Sequence, residues 1–273
     1  MREGQLMRVA LNQSCLPGIA TVEFVAIAAE CGAEGVELRL LGAHENSSAM
    51  GRAARAGSLP VDSVGPLMNW ALPDDADRRE DLEALLEAAL MADSHVVVCV
   101  GPMSERPLPA PADVIAAATE RLSQLAEFAR GSGVRLALEP VGLSSSRPRA
   151  ISGLRALADA MSVTDGVGAD AGLRVDSYNI ATADVAYSDL ATVPPDRIAI
   201  VQFADRDPAS PWRALPGEGD LDLFTFVEAL EACGYPGAIS VETFSQEPWT
   251  DPRSAARRAV ACARRFVHQE MSE

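Results

Sequence analysis

The sequence predicts an α/β protein folded as a (β/α)8 TIM barrel. Short runs rich in valine, isoleucine and leucine alternate with amphipathic stretches of helical period, which is the pattern of βα units on a parallel sheet. Eight such units follow one another, and 273 residues suit a single barrel domain spanning 1–273. An open doubly wound sheet is the alternative, but "NQSCLPG" after the first strand lacks the glycine spacing typical of that fold.

The elements are expected in strict alternation, and signals at the helix ends support them. Gly32 and Gly234 follow their helices as C-terminal caps, and Asp251 with Pro252 supplies the cap and first turn of the last helix. The predicted strands are 8–13, 35–40, 61–70, 95–101, 135–140, 172–179, 198–205 and 237–244. The predicted helices are 21–32, 47–57, 79–93, 111–130, 151–162, 182–191, 221–233 and 251–269.

Composition narrows the class of partner. A formal net charge of -16 is repelled by nucleic-acid phosphates and by anionic membranes, so we expect a small-molecule partner, no nucleic acid and no membrane. The 23 basic residues are all arginine, which excludes mechanisms that need a Schiff-base or P-loop lysine. The five cysteines are scattered without CxxC spacing, and no leader-like or membrane-spanning apolar run is evident, so a cytoplasmic location is expected.

Polar side chains occupy the carboxyl ends of the last four predicted strands, where barrel enzymes place their chemistry. They are Glu139, Asp176, Gln202 and Glu242. Strand alternation puts Glu139 on the same face as Ala137 and Glu242 on the same face as Ser240, facing the barrel interior. Three carboxylates at one barrel mouth repel each other, and a bound cation would relieve that repulsion.

Three carboxylates and one amide oxygen form an oxygen-only ligand set. Such a set favours one divalent ion such as Mn²⁺ or Mg²⁺ and leaves Zn²⁺ or Co²⁺ as alternatives. The competing interpretation is that each polar strand end pairs with a neighbouring arginine and holds no metal. The sequence leaves both interpretations open.

Two arginines are candidates for substrate binding. Arg39 lies at the end of the second strand and Arg206 just after the seventh. Either guanidinium could bind hydroxyls, a carboxylate or a phosphate through bidentate hydrogen bonds. For Arg39 the alternative is an ion pair with Glu37 inside the barrel.

Other candidates come from the loops at the same end of the barrel. Trp70 and Trp212 could wall a sugar pocket, although single aromatic residues are more often packing residues. Asn179 could hydrogen-bond substrate but cannot donate a proton as an acid. The loop 206–223 could close over the site, and His44 is the one histidine in a loop facing it.

These motifs resemble the sugar phosphate isomerase/epimerase family of xylose-isomerase-like barrels. The chain is most similar to its 2-keto-myo-inositol isomerase (inosose isomerase) branch. The similarity extends over most of the chain, and its order and spacing are specific. It is carried by "LNQ", "GVELR", "LALEPVG", "VDSYN", "VQFADRD", "PGEGDLDL" and "AISVETF".

The resemblance implies a metal site and an enediolate mechanism with Glu139 and Glu242 as acid and base. The implied metal ligands are Glu139, Asp176, Gln202 and Glu242. The family has a histidine where this chain has Gln202, and two further histidines near the substrate are replaced by Leu143 and Asn179. Glutamine at the third ligand position is similar to the 3-dehydroshikimate dehydratase branch of the same superfamily.

Three functions follow as hypotheses. The first is a metal-dependent isomerase or epimerase of a keto-sugar, keto-inositol or related polyol. The second is a metal-dependent lyase or dehydratase that uses the same enediolate, and the third is a non-catalytic ligand-binding barrel. Barrels of this family often pair through surface helices, so the resemblance allows a homodimer, although no motif demonstrates one.

Overall fold

Parallel strands close into a barrel in the computed structural model, which describes residues 7–40, 47–72, 75–142, 151–183, 185–210, 212–244 and 250–268. The barrel strands are β1 (Arg8–Asn12), β2 (Gly35–Arg39), β3 (Val61–Leu67), β4 (Val96–Val100), β5 (Arg135–Glu139), β6 (Ala171–Asp176), β7 (Ile198–Phe203) and β8 (Ala238–Val241). Each pairs in parallel with its neighbours in sequence, and β1 pairs with β8. The prediction of a (β/α)8 barrel is confirmed.

Helices surround the barrel and supply the outer layer. They are α1 (Thr21–Glu30), α2 (Ser47–Arg55), α3 (Arg79–Ala92), α4 (Pro111–Ala129), α5 (Leu157–Val167), α6 (Ser177–Thr182), α7 (Leu223–Cys233) and α8 (Pro252–Val267). The expected caps form: Gly32 and Gly234 have positive φ, and Asp251 accepts a hydrogen bond from the Ser254 N–H ahead of Pro252. No helix in the described part of the chain is long and apolar enough to cross a membrane.

Strand alternation divides the apolar residues into two layers. Leu136 and Leu138 of β5 belong to the large core between strands and helices. Ala137 points the other way, into a small cluster inside the barrel with Val98, Val100 and other residues. Glu139 is two residues further along the same face, so its carboxylate lies above this apolar cluster at the carboxyl end of the barrel.

The structure corrects three of the predicted boundaries. The strand predicted over 172–179 ends at Asp176. The Asp176 side chain accepts a hydrogen bond from the Asn179 N–H and so caps α6 at this point. The helix predicted over 151–162 begins at Leu157, since residues 151–152 pair with 103–104 in a short antiparallel ribbon. The helix predicted over 182–191 is wrong: that stretch holds the end of α6 and a 3₁₀ turn at Tyr187–Thr192.

The loop after β7 is held close to the barrel by one buried carboxylate. Asp205 accepts backbone hydrogen bonds from Gly217 and Gly219 at Oδ2 and from Leu221 at Oδ1, each 3.0 Å long. Residues 205–206 also pair with 213–214 as a two-stranded ribbon. A charged acceptor that satisfies three loop amides fixes the loop path, and that path carries Arg213 to the barrel mouth.

Candidate active site

A cavity of about 290 Å³ opens at the carboxyl ends of the barrel strands. This volume is at the small end of the range for small-molecule sites. Its polar lining consists of charged and amide side chains from β2, β5, β6, β7 and the loops. Its apolar lining consists of Pro66, Met68, Val98, Val100, Met103, Val141, Trp212 and Phe244.

Three buried carboxylates from separate elements converge at this end. One side-chain oxygen each of Glu139, Asp176 and Glu242 lies within 4.8 Å of the others. The strand register explains the convergence, because Asp176 of β6 is paired with Gln202 of β7, which is paired with Ser240 of β8. The described residues therefore contain an acidic triad that could hold a metal ion.

Two buried arginines already compensate much of this charge. Arg174 bridges the two glutamates, with Nη1 2.9 Å from Glu139 Oε2 and Nη2 2.9 Å from Glu242 Oε1. Arg213 places Nη1 2.7 Å from Asp176 Oδ2 and 2.5 Å from Glu242 Oε2. The arginine pairing that the sequence left open is thus present alongside the acidic triad, and both features belong to one site.

Gln202 is oriented by a fourth buried carboxylate, Glu37. Its Nε2 donates to Glu37 Oε2 over 2.8 Å. Glu37 also accepts hydrogen bonds from Asn12 Nδ2 at 2.8 Å and from Ser63 Oγ at 2.7 Å. Because a carboxylate only accepts hydrogen bonds, the Gln202 amide must turn its NH₂ group toward Glu37 and its oxygen away from it. Gln202 Oε1 is therefore buried without a partner among the described residues.

The residues fit an oxygen-ligated divalent cation. Gln202 Oε1 is a buried acceptor that lacks a donor, and such an atom is costly unless something binds it. Each carboxylate oxygen of the triad keeps a second lone pair beyond its present hydrogen bond. Four carboxylates (Glu37 and the triad) face three guanidiniums in the cavity region, which leaves an excess of negative charge that a cation offsets.

The two glutamates of the triad differ electrostatically although their chemistry is the same. Burial raises the pKa of Glu139 to about 7, with Arg174 opposing and the nearby charges of Glu242 and Asp176 adding to the rise. Burial acts on Glu242 in the same direction, but Arg174 and Arg213 outweigh it and lower the pKa of that carboxyl below its ordinary value. Glu139 contacts one guanidinium and Glu242 contacts two, which accounts for the contrast.

Asn179 and Arg39 line the cavity, as the sequence suggested they could. Asn179 Nδ2 donates to Glu139 Oε1 over 2.7 Å, so it orients that carboxylate. The Arg39 guanidinium lies over the Phe244 ring with its Cζ 5.2 Å from the ring centre. The alternative of an Arg39–Glu37 ion pair is wrong, because Glu37 is bound by Asn12, Ser63 and Gln202 instead.

Trp70 and Arg206 are not brought to this cavity. Trp70 is buried, and its indole N–H donates to the Val100 carbonyl over 2.8 Å. β3 ends at Leu67, three residues before Trp70, so the ring does not continue the face of the strand. Arg206 is half exposed and forms a bidentate pair with Asp220, with both distances 2.9 Å. His44 and Leu143 lie outside the described residues.

The main residues that sequence reasoning missed are Arg174 and Arg213. Arg174 had a detectable signal, because it is two residues before Asp176 and therefore shares its face of β6. Arg213 had none, since it lies in an irregular loop whose path depends on the Asp205 hydrogen bonds. Its guanidinium lies against both Tyr178 and Phe244, with Cζ 5.1 Å from each ring centre.

The chain is similar in sequence to known isomerases and to a dehydratase. The chain is 26% identical over 184 residues to an inosose isomerase of Halalkalibacterium halodurans, a match covering 64% of this chain and 63% of that protein. The chain thus spans less than two thirds of the length of this curated relative. A 3-dehydroshikimate dehydratase of Pseudomonas aeruginosa is 30% identical over 132 residues, which is 45% of this chain and 20% of that protein.

A solved structure described as IolI protein with a binding zinc atom superimposes with a TM-score of 0.84. The two share 18% sequence identity, and the match covers 98% of this chain and 100% of that one. At this identity the likeness shows the fold. A family model described as xylose isomerase-like TIM barrel matches residues 25–266. The chain therefore belongs to the xylose isomerase-like TIM barrel family.

Proposed function

We propose that this protein is a divalent-metal-dependent isomerase or epimerase of a keto-sugar, keto-inositol or related polyol. The observation that carries the proposal is the pair Glu139 and Glu242, which face one small cavity and are bridged by the single guanidinium of Arg174. Two carboxylates held in a fixed relation are what a reaction needs when a proton leaves one carbon and returns to a neighbouring carbon or the opposite face. The inosose isomerase relatives support the same class.

The side chains of the site have different roles in this reaction. Glu139 and Glu242 move the proton, and Asn179 orients Glu139 through its amide. Arg213 lines the cavity, pairs with Asp176 and Glu242 of the triad, and is placed to hydrogen-bond oxygens that become negative in the enediolate. The apolar lining residues of the cavity exclude water around the reacting carbons.

The metal in this proposal is held by Glu139, Asp176, Gln202 and Glu242. A divalent cation, with Mn²⁺ or Mg²⁺ favoured and Zn²⁺ or Co²⁺ as alternatives, supplies Lewis acidity toward a ketone and an adjacent hydroxyl. Support comes from the buried acidic triad and the unpartnered Gln202 Oε1.

A lyase on the same site is the second candidate. Glutamine at the third ligand position and the partial match to a 3-dehydroshikimate dehydratase favour it. A lyase would also remove a proton beside a carbonyl, but it would then expel a β-hydroxyl and form a double bond. Product analysis separates the two candidates, because isomers keep the mass of the substrate and the dehydrated product is 18 Da lighter.

The experiment is proton NMR in D₂O with Mg²⁺, offering keto-inositols and a panel of ketoses. We expect deuterium to enter at the carbon next to the carbonyl, and we expect Glu139→Gln and Glu242→Gln each to abolish that exchange. Glu30→Gln is the matched control, because Glu30 is exposed and pairs with Arg253 away from the barrel mouth. If no ketone in the panel exchanges although Mg²⁺ binding is demonstrated, the isomerase proposal fails, and either a lyase on a substrate outside the panel or the non-catalytic barrel takes its place.

A further inference from the structure

We propose that the substrate is an acid: it carries a carboxylate that binds Arg39, at the side of the cavity formed by Phe244. This inference rests on the proposed function and narrows it from keto-polyols in general to keto-polyols with one carboxylate. It makes Arg39 the residue that determines specificity.

Arg39 is the guanidinium of the cavity that forms no ion pair with a described residue. Arg174 and Arg213 are each bound to two carboxylates of the triad. No carboxylate in the described ranges pairs with Arg39, although its side chain lines the same cavity. Burial lowers the pKa of Arg39 and the charge of Glu242 opposes that effect without forming an ion pair, so the guanidinium can still take a carboxylate as a direct partner.

The position of Arg39 is fixed from two directions. Its backbone N–H donates to Gln13 Oε1 over 3.1 Å, which anchors the end of β2. Its guanidinium lies against the Phe244 ring, with Cζ 5.2 Å from the ring centre. A ring contact of this kind engages the face of the guanidinium and leaves the N–H edge available for bidentate binding of a planar carboxylate.

The remaining charges of the site favour one carboxylate over a phosphate. With all four carboxylates ionised, their charges, those of the three guanidiniums and that of one divalent cation would sum to a single positive charge for the ligand to balance. A monoanion matches this charge, whereas a phosphate dianion would exceed it.

A neutral polyol satisfies this arrangement less well. Hydroxyls can accept hydrogen bonds from Arg39, but they bring no negative charge to add to that of Glu242 against desolvation and the repulsion by Arg174 and Arg213. We therefore expect a matched acid to bind more tightly than its neutral counterpart. The preference depends on Arg39 and is independent of whether the bound molecule reacts.

The test measures binding separately from chemistry. Calorimetry at a fixed Mg²⁺ concentration compares D-gluconate with D-glucitol, which have the same six-carbon polyol chain but differ at one terminal carbon. We expect gluconate to bind at least tenfold more tightly, and we expect Arg39→Met to weaken gluconate binding roughly 30-fold or more while glucitol changes little. Arg39→Lys should restore part of the preference, because the charge returns without the bidentate edge.

Arg258→Met is the matched control, since Arg258 is exposed and pairs with Glu218 outside the cavity. Equal binding of the two ligands, a preference that persists in Arg39→Met, or inorganic phosphate binding more tightly than gluconate would each overturn the inference. D₂O exchange of D-fructose and D-fructuronate reports separately on the proposed function. Exchange of fructose alone would support the proposed function and contradict the acid substrate. Arg39-dependent gluconate binding without exchange of either ketone would support the carboxylate site and contradict the proposed function.

Discussion

Arg174 Nη1 lies 2.9 Å from Glu139 Oε2, and the same guanidinium reaches Glu242 through its other terminal nitrogen. All three side chains are at most 8% exposed. A buried cation that bridges two buried carboxylates acts in two ways. It stabilises the carboxylates without metal, and it occupies oxygens that a metal would also use.

We predict that Arg174→Met lowers the free energy of unfolding by about 3 kcal/mol in metal-free buffer, because it leaves two buried carboxylates with less compensating charge. The same variant should bind Mg²⁺ or Mn²⁺ more tightly than the wild type, since a competing positive charge has gone. Chemical denaturation with and without Mg²⁺ measures both effects. Arg258→Met serves as the exposed control. A variant whose stability in the absence of metal equals that of the wild type contradicts this account of Arg174.

The periodicity of the sequence was enough to predict the barrel and much of the candidate site. Alternation from Ala137 places Glu139 inside the barrel mouth, and the same rule applied to Asp176 would have placed Arg174 there. Alternation could not predict Arg213, because tertiary hydrogen bonds to Asp205 determine the course of its loop.

Local polar chemistry also overrode the pattern at two positions. The run "VDSYN" has the composition of a continuing strand, but the Asp176 side chain caps a helix there and turns Asn179 toward Glu139. Trp70 follows an apolar strand, yet its indole N–H needs a partner when buried and finds the Val100 carbonyl away from the cavity. Both outcomes depend on hydrogen bonds between residues that sequence periodicity does not relate.

The Glu37–Gln202 hydrogen bond provides a test of the fourth metal ligand. In Glu37→Gln the new side chain can donate an amide N–H to Gln202 Oε1. The Gln202 oxygen is then no longer kept free to bind a cation. We expect the affinity for a divalent cation to fall by roughly 10-fold to 100-fold, the usual effect of losing a group that orients a ligand. Titration calorimetry with Mn²⁺ measures the change, with Glu30→Gln as the exposed control. Unchanged affinity would mean that Gln202 does not bind the cation.

Asp205 should control the order of the loop that carries Arg213. Asp205→Ala removes the acceptor for the Gly217, Gly219 and Leu221 amides, and each lost hydrogen bond costs about 0.5 to 1.5 kcal/mol. We expect faster hydrogen exchange across 205–221, measured by mass spectrometry, together with weaker binding of substrate. Asp222→Ala is a useful comparison, because Asp222 caps α7 next to the loop without binding those three amides. Equal exchange in the two variants would show that Asp205 does not hold the loop.

Asp62 gives the stability of this protein a pH dependence that lies outside the active site. Burial raises the pKa of Asp62 to about 6, although the hydrogen bond and charge of Arg8 act against the rise. Between about pH 4 and 6 the Asp62 carboxyl is therefore protonated in the folded protein and ionised in the unfolded chain. This proton binding stabilises the folded state at low pH, and the contribution is lost as pH rises through 6. The unfolding free energy of the wild type minus that of Asp62→Asn should fall by about 2 to 3 kcal/mol from pH 4 to 7, because a shift of two pKa units corresponds to that amount. Urea denaturation at each pH measures the difference, with the exposed Asp189→Asn as control. A constant difference across this range would show that the Asp62 carboxyl is ionised throughout.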